Sequence, residues 1–348
     1  LTTYLLVDSM NLFFRCKHIA GKQAELDQKL GMAIHLTFSS MLKIWRKFPS
    51  DHVVFCMEGK SWRKAYYEPY KKNRIVARAA KTEKEVEEDE MFFEVYNEMV
   101  KFLREKTNVT VLHNENVEAD DLIARWTQNH PDDHHIILSN DSDFVQLISE
   151  NVHQYVGIQN YLITPQGYFD DKGKRVQVKA KKLDSNGKIC KTHNGKHVMI
   201  EVDRPAPDPE YALFEKCMRG DTADNIFSAY PGVRTKGSQK KAGLEEAFAD
   251  KKGKGYEWNN MMLQRWTDHT GTEHRVVDDY NRNVTLVDLT QQPDDIIESL
   301  DETIANARVE QKDNRQVGWW FLKFCGKHNL PRLSDNADHI AKILTAGY

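Results

Sequence analysis

The segment ILSNDSDFVQLI, residues 137–148, carries Asp141 and Asp143 two positions apart between apolar runs. Like charges at the edge of a core repel, so the pattern needs a partner that neutralises them. The same need arises elsewhere in the chain. Asp8 ends the apolar TTYLLVD and Glu58 ends DHVVFCME, while Glu118, Asp120 and Asp121 crowd VEADD. Asp221 and Asp224 stand three apart in GDTADN, on one face of a helix if one runs through them. Two unit charges ~4 Å apart at an effective dielectric of ~20 repel by ~4 kcal/mol. Half a dozen in one cleft would exceed the ~5–15 kcal/mol that holds a domain folded. Oxygen ligands alone select hard cations, Mg or Mn, which keep several waters and engage phosphates. Metal-assisted chemistry on phosphate is what this residue set suits.

Whether the acids meet depends on the elements that carry them. Short strands are expected before Asp8 and at 51–59, 108–113 and 134–139. Helical periodicity runs through 31–48. A second helix is expected over 82–106, capped by Thr82 with acids in its first turn, and a third over 116–130. This alternation predicts an α/β fold, a central mostly parallel sheet with helices on both faces. Ligands bind beyond the carboxyl ends of such strands. Asp8, Glu58, Asp141 and Asp143 each fall just past one, and the acids of VEADD open a helix at the same edge.

The formal net charge of -3 hides a polarised distribution. Residues 60–84 hold nine Lys/Arg against two Glu, and 172–197 hold nine against one Asp. Residues 267–313 hold twelve acids against four bases. One basic side and one acidic side suit a nucleic-acid partner better than the sum suggests. Five scattered cysteines, none in a C-x-x-C pair, argue against a disulfide framework or a zinc site and for a reducing cytoplasm. No apolar run approaches a membrane span and no secretory signal opens the chain, so a cytoplasmic monomer without membrane contact is expected.

Taken in order, the motifs resemble those of the metal-dependent 5′-nuclease, or flap endonuclease, superfamily. VDSMN is similar to its first aspartate motif, and FCMEGKSWRKAYYEPYKKNR to its second acid followed by the helical arch. VEADD and SNDSDF resemble the third and fourth acidic motifs. GDTADNI resembles the opening of the helix–three-turn–helix module that grips duplex DNA. The bacteriophage 5′-exonucleases of the "RNase H" type, named for primer removal, are especially similar. Two departures stand out: Glu58 replaces the usual Asp, and IFSAYPGVRTKGSQKKAG replaces the module's Gly-Val-x-Gly-Ile-Gly loop. The family's potassium site would lie in that loop.

The resemblance implies a nuclease core at 1–159 with an arch at about 58–90, and a duplex-binding module at 210–266. Gly turns place a β-hairpin insertion with its linker at 160–209, and an acidic, largely helical lobe is expected at 267–348. The metal ligands would be Asp8, Glu58, Glu118, Asp120, Asp121, Asp141, Asp143, Asp221 and Asp224, holding about two or three Mg or Mn ions. Lys71 and Arg74 would supply charge to the phosphate, and Tyr70 would stack on a base. Further nucleic-acid contacts are expected from Asn11, Arg15, Arg63, Lys72, Arg234, Lys236, Lys240 and Lys241. For Trp62, Tyr66 and Tyr67, packing and base contact are equally open. The implied substrates are branched or nicked duplexes and RNA–DNA primer junctions, with a single-strand binding protein as a partner. Two other readings compete: a PIN-type ribonuclease, which would lack the basic arch and the module, and a flap-binding relative that does not cut.

Overall fold

A computed structural model describes residues 1–19, 25–230, 243–309 and 312–348. Its centre is a seven-stranded sheet in the order β3-β2-β1-β4-β5-β6-β7. The strands are β1 (Thr3–Asp8), β2 (His52–Cys56), β3 (Thr110–Leu112), β4 (His134–Leu138), β5 (Val152–Val156), β6 (Tyr161–Thr164) and β7 (Gly167–Asp170). The first five lie parallel. β6 and β7 add antiparallel at the edge, so the sheet runs past residue 159 into the segment expected to be insertion. β1 and β2 are buried on both faces, which is why they read as unbroken apolar runs rather than alternating ones. The strands are shorter than their apolar runs because Met57–Gly59 and Ser139 already belong to the loops beyond the rim.

Helices cover both faces. On one lie α1 (Ser9–Ile19), α2 (Leu26–Lys47) and α5 (Glu83–Lys106), reached through the short α3 (Arg63–Tyr66) and α4 (Lys72–Ala79). On the other lies α6 (Ala119–Asn129). Thr82 caps α5 in a reciprocal box with Glu85, as its spacing predicts. Residues 72–86 are exposed throughout, forming a basic projection above the sheet.

Beyond β7 the chain forms a separate ribbon, β8 (Gln177–Lys181) paired with β9 (Met199–Asp203), and then α7 (Pro209–Arg219). α8 (Leu244–Ala249), α9 (Tyr256–Met262), the two-stranded β10 (Arg265–Thr267) and β11 (Glu273–Arg275), and α10 (Val276–Val287) follow. α7 to α10 share a third apolar cluster around Phe214, Met218, Leu244 and Tyr280. The acidic C-terminal region is largely helical, as expected, and it closes both faces of the core. α11 (Asp294–Val309) packs on α6 and β3, while α12 (Val317–Lys327), α13 (Pro331–Ser334) and α14 (Ala337–Thr345) pack on α2. Among the described residues no helix is long and apolar enough to cross a membrane.

Candidate metal centre

Four strand ends deliver the acids. Asp8 is the last residue of β1; Glu58 lies two past β2, Asp141 three past β4, and Glu118 and Asp120 sit at the start of α6. All five line one cleft of about 470 Å³, together with Asn11, Ser61, Lys71, Arg74 and Arg78. A larger groove of about 670 Å³ between α2, α12 and α13 is lined by a single acid, Asp27.

Hydrogen bonds fix the acids individually. Asp8 Oδ2 accepts from Ser139 Oγ at 2.7 Å, and Ala119 N donates to Glu58 Oε2 at 3.0 Å. Asp141 caps the turn at Ser142–Leu147 by accepting from Asp143 N at 2.9 Å, and Gln154 Nε2 holds the Asp141 carbonyl at 2.6 Å. Burial, reinforced by Asp141, pushes the Asp8 carboxyl up to about 6. Burial and Glu118 push Glu58 up to about 7. Asp120 is raised well above the carboxylate range by burial beside Asp141, Asp8 and Glu58. These groups hold protons at a pH where exposed carboxyls would not, because burial disfavours their charge and the carboxylates beside them add repulsion. The Lys71 ammonium offsets this only in part at Asp8 and Glu58.

Elsewhere in the cluster, lysines and arginines sit directly against the carboxylates. Burial disfavours charge on Glu118, yet the Lys71 ammonium and Arg63 beside it hold its carboxyl down at about 2. Lys71 bonds Glu118 and lies 3.7 Å from Asp224, and Arg74 Nη2 donates to Asp224 Oδ1 at 2.6 Å. On the far side Lys216, in the last turn of α7, bonds Asp143 and reaches Asp221 Oδ2 at 2.7 Å. Among the described residues, no three His, Cys, Asp or Glu side chains are gathered closely enough to hold an ion as they stand. The donor set still fits a hard divalent cation. Asp8, Glu58, Asp120 and Asp141 offer oxygen only and line one cleft, and burial raises the proton affinity of three of them.

Several expected residues lie elsewhere. Asp121 is fully buried and forked by Arg63, with Nη1 and Nη2 each at 2.8 Å, so it cannot serve as a metal ligand from this position. Arg63 is 2 % exposed and has no face for DNA. Tyr70 is buried too, its hydroxyl donating to Glu118 Oε2 at 2.8 Å, so it is not a stacking platform. All three acids of VEADD looked equivalent; the helix start separates them, because Asp121 at its third position turns back to close a capping box with Glu118. The Arg15 guanidinium packs against Gly157, with Nη2 3.3 Å from Ser40 Oγ. Asn11 accepts from the Asn140 amide and braces the loop before Asp141. Lys72 is exposed and paired with Glu68. Arg234, Lys236, Lys240 and Lys241 lie outside the described residues. Trp62 packs against the core and Tyr67 lies under Arg282, whereas Tyr66 is exposed.

No helix runs through Asp221 and Asp224. α7 ends at Gly220, whose φ of +71° breaks it, and Asp221 and Ile226 bond each other's backbones across a tight turn. That turn clamps the basic projection. Lys71 N donates to Asp224 O at 2.8 Å, Asn73 Nδ2 to the Thr222 and Ala223 carbonyls at 3.1 Å, and Asn225 Nδ2 to Pro69 O at 2.7 Å. Lys71 itself takes a left-handed φ of 53° at this junction. Sequence reasoning missed Lys216 and Ser139. A lysine at the end of an amphipathic helix and a serine after a strand carry no signal of their own.

Residues 3–173 match the family described as 5′-3′ exonuclease, N-terminal resolvase-like domain. Residues 3–173 therefore carry a domain of the 5′-nuclease superfamily, and the fold of the chain agrees. The bacteriophage T5 5′-exonuclease with bound zinc superposes with a TM-score of 0.56 at 19% identity, over 89% of this chain and 100% of that one. The bacteriophage T5 flap endonuclease, in a pseudo-enzyme–product complex with DNA and metal ions, gives 0.53 at 20% identity over 98% and 99%.

Proposed function

We propose that the protein is a structure-specific 5′ nuclease that hydrolyses phosphodiesters from the 5′ side of flaps, nicks or RNA primers on duplex DNA, using Mg or Mn. The observation that carries this reading is the single cleft in which Asp8, Glu58, Glu118, Asp120 and Asp141 face Lys71, Arg74 and Arg78. Asp8, Glu58, Asp120 and Asp141 would hold the divalent ions, with Asp143, Asp221 and Asp224 at a second, looser site. Bound there, the ions supply Lewis-acid stabilisation and a water activated for in-line attack.

The protein's own groups account for the rest. Lys71 and Arg74 present positive charge at the cleft, where the phosphate gains charge in the transition state. Tyr70, Ser61 and Arg63 fix Glu118, which in turn aims Lys71. No side chain lining the cleft is armed as a nucleophile: Ser61 donates to Glu118, and the Cys56 thiol behind it is buried and pushed up. Attack by water follows. Between the two weighed alternatives, the exposed basic projection at 72–86 and its clamp to 221–225 favour a flap nuclease over a PIN-type ribonuclease. The retained acids favour cleavage over binding alone.

The test is cleavage of 5′-labelled flap, nicked and RNA-primed duplexes with and without Mg. Cleavage from the 5′ end that stops in EDTA is expected. Full activity in excess EDTA, or attack beginning at 3′ ends, would overturn the reading.

A further inference from the structure

Residues 172–203 have no role in the reading above, yet their placement is specific. They leave the sheet at Asp170, which pairs with Tyr161, itself opposite Val156 at the carboxyl end of β5. They return through α7, whose last turn brings Lys216 to Asp143. Both ends of the excursion therefore sit at the rim that bears the cleft. The excursion is a stem, β8 with β9, topped by two small leaves closed at Leu183–Ile189 and Lys191–His197. Gly187 and Gly195 turn the leaf tips at φ near +75°, with open space around both.

Its charge is one-sided. All eight lysines between 172 and 197 are exposed, and Asp184 is the lone acid of that stretch. Among the described residues, the one ion pair found for the module's bases joins Arg175 to Asp203, at 3.8 Å. Eight ammonium groups on one small ribbon repel each other, and an anionic partner relieves that repulsion. Two features define the anion. A two-stranded ribbon has the width to follow a duplex groove. Residues 172–203 contain no Phe, Trp or Tyr, so the stacking platform that single strands require is missing.

We propose that this module is a second duplex-binding site, gripping the phosphates of one duplex arm of the substrate without reading its sequence. The inference rests on the reading that branched duplex DNA is the substrate. It is tested by replacing Lys179, Lys181, Lys188, Lys191 and Lys196 with Gln in the full chain. A matching five-Arg variant serves as control, and the smaller pair Lys188→Glu and Lys196→Glu at the leaf tips checks that any effect is local. Binding is read by anisotropy in EDTA, on duplex, flap and single strand, across a NaCl titration. Losing two phosphate contacts should flatten the slope of log K against log salt by ~1.8 and weaken duplex affinity roughly 60-fold at about 0.1 M. The Arg variant should bind like the wild type, and single-turnover cleavage at saturating DNA should be unchanged. Wild-type slope and affinity in both the Gln and Glu variants would overturn this inference alone. An equal loss on single strands would overturn the assignment to duplex. A wild-type protein that neither binds nor cuts duplexes would overturn the functional reading as well.

Discussion

Replacing Arg63 by Ala decides whether this guanidinium is an internal strut or a DNA contact. Nε donates to Leu286 O at 2.7 Å, the fork holds Asp121, and Nη1 also reaches Glu118 Oε2 at 3.1 Å. Truncation leaves Asp121 charged and fully buried, with Gln292 Nε2 at 3.3 Å as its remaining side-chain donor beyond the helix start. Breaking a buried pair in this way costs ~3–5 kcal/mol. For 348 residues at ~2.1 cal/mol/K each, the unfolding entropy is ~0.7 kcal/mol/K, so the melting temperature should fall by roughly 5 °C. The companion variant, Arg63→Met with Asp121→Leu, removes both charges and should recover most of that loss. Its cleavage rate should stay low, because Glu118 still lacks the Arg63 donor and keeps only Ser61, Tyr70 and Lys71. Thermal melts in EDTA and single-turnover cleavage measure the two effects separately. If Arg63→Ala melted like the wild type while duplex affinity collapsed, the strut argument would be refuted.

Three further expectations follow from the same geometry. Lys71→Ala should slow the chemical step far more than it weakens duplex binding, since its charge matters most as the phosphate becomes more anionic; single-turnover rates beside binding isotherms check this. Asp141→Asn should abolish cleavage at every Mg concentration, whereas Asp224→Asn should keep activity that rises with added Mg or Mn; identical, metal-insensitive losses would show that the acids act as one unit. Burial holds His52 and His135 down at about 4, so both are neutral in the fold and take protons on unfolding. Their contribution is complete above the unfolded value of ~6.5 and is lost as pH falls toward 4, at roughly 2 kcal/mol each by pH 5. Urea midpoints at pH 7.5 and 5 should therefore fall less for His52→Gln than for the wild type, a comparison in which the cleft carboxyls cancel.

The layout of the centre was legible because two independent signals coincide. Apolar runs mark parallel strands, and acids at their ends mark a ligand-binding rim, so Asp8, Glu58 and Asp141 could be brought together without coordinates. What could not be read is which of several similar neighbours turns inward. Arg63 and Lys64 are adjacent bases, yet one is buried and the other exposed, and that choice is made by Asp121 and the Leu286 carbonyl more than fifty residues away. Tyr66 and Tyr70 divide in the same way. YLIT and GYFD both fall in the segment expected to be insertion, because four-residue runs carry too little periodicity to mark them as strands of the main sheet. Their membership is set by pairing with β5 and with each other.

The clamp between the 69–74 and 221–225 segments also sets an order in time. Asn73 bonds a carbonyl 150 positions later in the chain. During synthesis at ~5–20 residues per second, the last sheet strand precedes residue 225 by several seconds. Through that interval Lys71 has Glu118 but neither Asp224 nor the backbone that seats it, and Asp143 has no Lys216. A chain cut short there would carry the sheet and the rim acids without the groups that hold Lys71 and Arg74 at the cleft. The cleft of the folded protein therefore gains its full set of contacts only after residue 225 has been made.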